Sequence, residues 1–213
     1  MFRYEGMTWV LTFLVAGIGL GGLAGCTSAT RGRAAAETDC CGPLRSAHPA
    51  SGRPVYALDA VWETDTGRRA TLAELQGRPQ VVAMFYSSCH IACPVTVERM
   101  KQIESALPPR LRAQVGFALI TFDPATDTPG TLRAFRKAQQ LSDRWTLWRG
   151  SDMATREVAG QLGVSFERER YRFSHSNQIV LLSSQGKILC RLAGLRAPLD
   201  GLVKAAESAV PEP

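Results

Sequence analysis

The feature that most constrains this chain is an apolar strand, a pair of cysteines and a helix in direct succession. Residues 81–86 form an apolar run, which predicts a buried strand. Cys89 and Cys93 follow, with three residues between them, and Pro94 comes next. Apolar residues then recur at close to helical spacing, and proline is well tolerated in the first turn of a helix. Because a helix N-terminus stabilises negative charge, at least one thiol should ionise readily. The stretch therefore predicts a reactive or metal-binding thiol pair.

Composition narrows the function classes. The chain has 213 residues, of which 45% are hydrophobic and 21% charged, and these are values of a globular protein. Its formal net charge of +6 is moderate, and its arginines are scattered rather than gathered into a basic block. We therefore do not expect nucleic-acid binding, since no recognition module accompanies the charge. The net positive charge is better explained by a weak attraction to an acidic partner or to an anionic membrane surface.

The N-terminal residues are typical of a bacterial export signal. Residues 9–20 form an apolar run that is short for a membrane span and suits the core of a signal peptide. Residues 23–26 read Leu-Ala-Gly-Cys, which resembles the lipobox of bacterial lipoproteins. We expect residues 1–25 to be a lipoprotein-type signal peptide and Cys26 to be the lipidated residue; an uncleaved anchor helix is the alternative. In both cases, the remaining chain is expected to be tethered to a membrane and to lie on the extracytoplasmic side of that membrane.

The next segment, residues 26–54, is rich in Ala, Ser, Thr, Arg, Gly and Pro and predicts a flexible tether. It contains Cys40, Cys41 and His48, which could capture a soft metal or could be incidental residues of a linker. Adjacent cysteines pair with each other only in strained geometry, so we do not expect a disulfide between Cys40 and Cys41. The folded domain is expected to occupy residues 55–213.

Strands and helices alternate beyond residue 55, which predicts an α/β domain with a central mixed sheet flanked by helices. The predicted strands are an N-terminal hairpin over 55–62 and 69–72, central strands at 81–86, 115–122 and 146–148, and an edge hairpin over 178–182 and 187–192. The predicted helices are a short one at 71–77 with a capping box of Thr71 and Glu74, one after Pro94, and others at 130–140, 152–162 and 198–208. Trp145 and Trp148 are expected in the core, and Cys190 is expected to pack as a small buried residue.

Three candidate site residues fall near the carboxyl ends of the central strands, where α/β sheets collect their chemistry. The thiol loop follows one central strand and the loop that begins at Asp123 follows another, so the two loops should be neighbours. His175, just before the edge hairpin, is the third candidate ligand. Two thiolates and one imidazole suit Cu(I), and such a set can also serve Cu(II). Zinc is possible but usually takes a fourth ligand, for which the chain offers no obvious residue.

Three blocks of the sequence together resemble the Sco/SenC family: residues 85–94 around the thiols, the loop at 122–129, and Ser-His-Ser at 174–176. The resemblance runs from about residue 55 to the last helix. It implies a thioredoxin-like fold and copper binding through Cys89, Cys93 and His175. It also implies supply of copper to the binuclear CuA site in subunit II of cytochrome c oxidase or to a related copper enzyme, or reduction of that site's cysteines.

The chain departs from the family pattern near these ligands. Ser174 stands where family members usually carry an acidic residue, and this change could alter copper affinity. His90 directly follows Cys89 and could add a ligand, tune that thiol or point to solvent; we favour the last. Asp123 is a candidate for contacting the ligand residues without binding the metal itself. Asp127 is expected to cap the helix that follows.

Three functions compete for these residues. The first is a membrane-tethered copper metallochaperone facing the periplasmic side of the bacterial envelope. The second is a thiol–disulfide oxidoreductase, in which one of Cys89 and Cys93 attacks and the other resolves the mixed disulfide. The third is a thiol peroxidase, for which a second cysteine four residues on and a facing histidine are not required. We predict the first function and keep the second as the alternative.

Overall fold

A seven-stranded mixed sheet organises the part of the chain that the computed structural model describes, residues 53–170 and 172–210. The described strands are β1 (Trp62–Thr64), β2 (Arg69–Ala70), β3 (Gln80–Phe85), β4 (Gly116–Thr121), β5 (Trp145–Arg149), β6 (Phe166–Arg168), β7 (Phe173–His175), β8 (Gln178–Leu182) and β9 (Ile188–Ala193). The described α-helices are α1 (Ala92–Ala106), α2 (Pro109–Arg112), α3 (Pro129–Ala138), α4 (Asp152–Leu162) and α5 (Asp200–Ala209). The order across the sheet is β2-β1-β5-β4-β3-β8-β9, with β3, β4 and β5 parallel and the other pairs antiparallel. The predicted mixed sheet with an antiparallel edge hairpin is therefore confirmed.

The two central strands, β3 and β4, lie within the hydrophobic core. Every residue of β3 and of β4 is buried, so both faces of these strands are covered, as their continuous apolar sequences require. Trp145 and Trp148 are buried on β5, as predicted. Helices α1 and α5 contact each other; α1 packs on β3 and α5 on β8 and β9.

The register of the central pair places two loops side by side. β3 and β4 pair in parallel from Gln80 opposite Gly116 to Phe85 opposite Thr121, so both strands end at the same level of the sheet. The thiol loop leaves β3 at that level, and the loop that begins at Asp123 leaves β4 there. The prediction that these loops are neighbours is confirmed, since the backbone N–H of Ser87 donates to the Asp127 carboxylate.

The N-terminal hairpin is present but shorter than predicted. Val55–Ala57 forms a single 3₁₀ turn instead of the start of a strand, and only Trp62–Thr64 pairs with β2. The predicted capping box is wrong as well: the Thr71 side chain makes no capping hydrogen bond, and Glu74 forms an exposed ion pair with Arg68. Leu72–Leu75 is a 3₁₀ turn in place of a short α-helix.

A two-stranded sheet that the sequence did not predict lies between α4 and β8. β6 and β7 pair only with each other, with Phe166 opposite His175, and we call these two strands together the β-ribbon. The backbone N–H of Ser176 donates to the Ser165 carbonyl over 2.9 Å, so the chain leaves the β-ribbon beside the point where it enters. His175, predicted in a loop, is therefore the last residue of a strand.

Some predictions concern residues outside the described ranges. These are the signal peptide at 1–25, lipidation of Cys26, and the tether with Cys40, Cys41 and His48, all of which stay predictions. Within residues 53–170 and 172–210, none of the helices has the length and apolar character that crossing a membrane requires.

Candidate metal centre

The fold brings together three residues from distant parts of the sequence. Cys89 lies in the turn after β3, Cys93 lies in the first turn of α1, and His175 ends β7. One potential ligand atom from each lies within 4.8 Å of the other two. The two cysteines are free thiols, and only 8% of Cys89 and 1% of Cys93 is exposed. His175 is partly exposed.

The start of α1 makes the two thiols unequal. Burial alone would raise the pKa of the Cys89 thiol, but hydrogen bonds from the backbone N–H groups of Cys93, Ile91 and Ala92 and from the Cys93 thiol lower it below its usual value. Burial raises the pKa of the Cys93 thiol, and negative charge on Cys89 adds to that increase. Cys89 is therefore the thiol of the pair that ionises more readily in the metal-free protein, and Cys93 stays protonated.

The His175 ring is held by aromatic neighbours and by one hydrogen bond. Its centroid lies 4.9 Å from that of Phe122 and 6.0 Å from that of Tyr86, with an edge-on arrangement in the second case. Its Nδ1 lies 3.2 Å from the carbonyl oxygen of Ser176. A carbonyl oxygen can only accept, so this contact favours the proton on Nδ1 and leaves the lone pair of Nε2 available to a metal.

Tyr86 lies at the site, although its sequence position predicted only a place in the central strand. Burial raises the pKa of its hydroxyl, and a hydrogen bond with Cys89 raises it further. Its ring also packs against Phe122 and Phe173, with centroids 5.2 Å apart in both pairs. The signal in the sequence was its position, at the carboxyl end of the strand and directly before the thiol loop.

Asp127 does not cap helix α3, contrary to the prediction. The hydroxyl of Thr128 takes that role by accepting from the backbone N–H of Thr131 over 3.2 Å. The Asp127 carboxylate is buried and accepts hydrogen bonds from the backbone N–H of Ser87, from the Ser87 hydroxyl and from the Thr121 hydroxyl. Burial raises the pKa of this carboxyl despite those donors.

Asp123 contacts the β-ribbon instead of the thiols. Its carboxylate is buried and forms an ion pair with Arg168, the last residue of β6. Its backbone N–H donates to the Thr121 hydroxyl over 2.9 Å. The charged partner of Asp123 is therefore on the strand that pairs with the strand carrying His175.

Two further residues lie apart from the candidate ligand set. His90 is exposed and is not one of the clustered ligand residues, in agreement with the solvent-facing alternative. Cys190 is buried, as predicted, but it is also disulfide-bonded, which was not predicted.

The sequence model of the family described as SCO1/SenC matches residues 61–208, which is more than half of the chain. A Stutzerimonas stutzeri protein, whose name proposes it as a copper-binding protein, is 30% identical over 135 residues. That alignment covers 60% of this chain and 64% of the relative, so the chain spans less than two thirds of the relative's length.

Solved structures of Sco proteins share the fold. Copper-bound ScoI of Arabidopsis thaliana is 20% identical, with a TM-score of 0.61 over 74% of this chain and 98% of that chain. Copper-bound yeast Sco1 is 20% identical, with a TM-score of 0.62 over 76% and 92% of the two chains. A SCO1/SenC family lipoprotein of Bacillus anthracis is 18% identical, with a TM-score of 0.63 over 70% and 91%. These likenesses confirm the predicted thioredoxin-like α/β fold.

Proposed function

The chain belongs to the SCO1/SenC family, and on that basis we propose that it is an extracytoplasmic copper metallochaperone. Copper is its cargo, held by Cys89, Cys93 and His175. The observation that carries the proposal is the approach of one ligand atom from each residue to within 4.8 Å of the others. The name of the Stutzerimonas stutzeri relative supports the choice of metal.

The chemistry of the donor set fits copper. Thiolates are soft ligands that favour Cu(I), and imidazole serves both oxidation states of copper. Because the pKa of Cys93 is raised, that thiol stays protonated in the metal-free protein and loses its proton when the metal binds. Copper uptake should therefore release protons, and it should strengthen as the pH rises.

The unequal burial of the ligands suits transfer to a partner. Both cysteines are buried, but Cys89 is 8% exposed and Cys93 only 1%, so an incoming thiol of the partner can approach copper more readily beside Cys89 while Cys93 still holds it. We propose as recipient the CuA site in subunit II of cytochrome c oxidase, or a related copper enzyme. We further propose that lipidation at Cys26 tethers the protein to a membrane, facing the periplasm. The Bacillus anthracis lipoprotein of this family supports that location.

The first experiment measures Cu(I) affinity by competition with a chelator of known affinity. We expect one tightly bound copper in the purified wild-type protein. The variants His175→Ala and Cys89→Ser/Cys93→Ser should each bind at least about tenfold more weakly, which corresponds to about 1.4 kcal/mol. His90→Ala is the matched control, because it removes an exposed imidazole beside the same thiol. Affinity that is unchanged in His175→Ala would remove the third ligand and contradict the proposal.

A second function has its own support. Cys89 has a lowered pKa, Cys93 is close to it, and both are free thiols, which are the requirements of a thiol–disulfide oxidoreductase. In that role Cys89 attacks a disulfide of the recipient, and Cys93 resolves the mixed disulfide, which releases the reduced recipient and leaves a disulfide between Cys89 and Cys93. Turnover on a disulfide substrate that survives in His175→Ala and disappears in Cys89→Ser would favour this function over copper delivery.

A further inference from the structure

We propose that Arg168 and Asp123 are positioning residues, which hold the β-ribbon so that His175 faces the two thiols. The inference rests on the proposed copper site, and it concerns a side chain outside the candidate ligand set. It starts from the separation of the ligands between two structural units. Cys89 and Cys93 adjoin the main sheet, whereas His175 belongs to the β-ribbon.

The β-ribbon needs a contact that fixes its orientation. β6 and β7 pair with each other and not with the seven-stranded sheet, so the backbone ladder of that sheet does not set their position. Isolated two-stranded sheets are marginally stable in water. Side-chain contacts with the main domain must therefore decide where His175 lies.

The ion pair between Arg168 and Asp123 is such a contact. The guanidinium of Arg168 binds the Asp123 carboxylate and also lies 4.7 Å from the centroid of the Phe173 ring. Phe173 is opposite Arg168 in the β-ribbon and two residues before His175, so it points to the same side of the strand as His175. Arg168 thus links the loop after β4 to the strand that carries His175.

Hydrogen bonds continue from Asp123 to the thiol loop. The backbone N–H of Asp123 donates to the hydroxyl of Thr121, and this hydroxyl donates to the carboxylate of Asp127. Asp127 in turn accepts from the backbone N–H of Ser87 over 3.0 Å, two residues before Cys89. A continuous network therefore joins the β-ribbon to the thiol loop, and we call it the Arg168–Ser87 network, formed by Arg168, Asp123, Thr121, Asp127 and Ser87.

Burial of the Asp123 carboxylate makes removal of its ion pair costly in free energy. The Asp123 carboxylate is buried, whereas the Arg168 side chain is about half exposed. Removing the guanidinium would leave a buried carboxylate without its cation, which is more costly than losing an exposed pair. The aromatic contacts of Phe166 and Phe173 with Phe122 are the competing explanation, because they could hold the β-ribbon without the charges.

The test compares two arginines of the same segment. Arg168→Met keeps much of the side-chain length over Phe173 but loses the charge, and Arg168→Lys restores a cation. Arg172→Met is the matched control, because Arg172 pairs with Glu169, three residues before it. Cu(I) affinity should fall about tenfold in Arg168→Met, the low end of the effect of contacts behind metal ligands. It should recover in Arg168→Lys and stay unchanged in Arg172→Met.

A double-mutant cycle with His175→Ala separates positioning from general damage. If Arg168 acts through His175, Arg168→Met should cause no further loss of affinity in the His175→Ala background. The Cu(II) electron paramagnetic resonance spectrum of Arg168→Met should also lose hyperfine features that depend on His175. An equal loss of affinity in both backgrounds, or no loss in either, would overturn the inference.

A metal-free measurement keeps the inference separate from the proposed function. Amide hydrogen exchange of Glu167 and Ser174, a hydrogen-bonded pair of the β-ribbon, should be faster in metal-free Arg168→Met than in wild type or in Arg172→Met, at an unchanged midpoint of global unfolding. Exchange that is the same in all three proteins would overturn the positioning role, whatever the copper result. Absence of copper binding by the wild-type protein, with the exchange difference present, would overturn only the proposed function.

Discussion

The backbone N–H of Cys93 donates a hydrogen bond to the sulfur of Cys89 over 3.3 Å. One cysteine of the pair therefore supplies a donor that stabilises the thiolate of the other. The reverse contact is absent, because the backbone N–H of Cys89 donates to the carbonyl oxygen of Tyr86 over 3.2 Å. Two residues that look equivalent in the sequence consequently have different chemistry.

Alkylation should reveal this difference. In the reduced, metal-free protein, iodoacetamide should modify Cys89 well before Cys93 at neutral pH, because only Cys89 has a lowered pKa. Mass spectrometry of the modified peptides measures both rates. In Cys93→Ser, Cys89 should still react fast, although it has lost the hydrogen bond from the Cys93 thiol. In Cys89→Ser, only the slow reaction of Cys93 should remain. Equal rates at the two cysteines would contradict the assignment of the thiolate.

Asp127 should make stability depend on pH. A carboxyl with a raised pKa in the folded state binds its proton more tightly there than in the unfolded chain, so the free energy of unfolding falls as the pH rises through the raised value. This loss should begin near pH 4, where an ordinary aspartate titrates. Asp127→Asn cannot titrate and should lack that component of the slope, as measured by urea unfolding between pH 4 and 7.

The hydrogen bonds of Asp127 give a second expectation for the same site. Asp127→Ala should cost about 1–3 kcal/mol near pH 4, because the Ser87 N–H and the Thr121 hydroxyl lose their acceptor, and this cost should fall as the pH rises. Asp152→Asn is the control, since Asp152 is exposed and pairs with Arg156 on the surface of α4. Identical slopes of stability against pH in wild type and Asp127→Asn would show that Asp127 does not titrate as expected.

An exposed apolar side chain beside the thiols should contribute to partner binding. Ile91 is 82% exposed and lies between Cys89 and Cys93 in the chain, and Val95 is exposed one helical turn further along. Ile91→Gln should slow copper transfer to the proposed recipient, the CuA domain, about tenfold, which corresponds to about 1.4 kcal/mol and to partial burial of such a side chain. Cu(I) affinity should not change. Met153→Gln, at 79% exposed on α4, is the matched control and should leave transfer unchanged.

Two glycines should respond oppositely to alanine. A Cβ at Gly150 would come within 2.7 Å of the buried Trp62 ring, so Gly150→Ala should destabilise the protein by about 1–3 kcal/mol. Gly160 is inside α4 with nothing within 4 Å of the added Cβ, so Gly160→Ala should stabilise it by about 0.5–1 kcal/mol. Urea unfolding measures both. Destabilisation by Gly160→Ala would contradict the open space at that position.

Local patterns in the sequence were sufficient for the central part of the fold. The apolar runs of β3 and β4 are long and uninterrupted because both faces are buried, so each predicted the strand within one residue of its ends. Helix α4 was predicted at its observed bounds, since Ser151 caps its start and Gly163 adopts the left-handed conformation at its end. The two loops at the carboxyl ends of the strands followed from parallel pairing.

Contacts between distant residues were not predictable in the same way. The β6 strand reads Phe-Glu-Arg and is mostly exposed, so it has no apolar alternation to indicate a strand. Asp127 and Thr128 are both good helix caps, and only the donors Ser87, distant in the sequence, and Thr121 decide that Asp127 faces inward. The pairing of Arg168 with Asp123 spans 45 positions, which no local pattern records.

The entry and exit of the β-ribbon meet at the hydrogen bond between Ser176 and Ser165. An insertion whose two ends adjoin can change in length and sequence without moving α4 or β8. Replacement of His175 should therefore leave the sheet and the two thiols in place. Such a change would remove one candidate metal ligand and retain the dithiol, with the hydrophobic core unaltered.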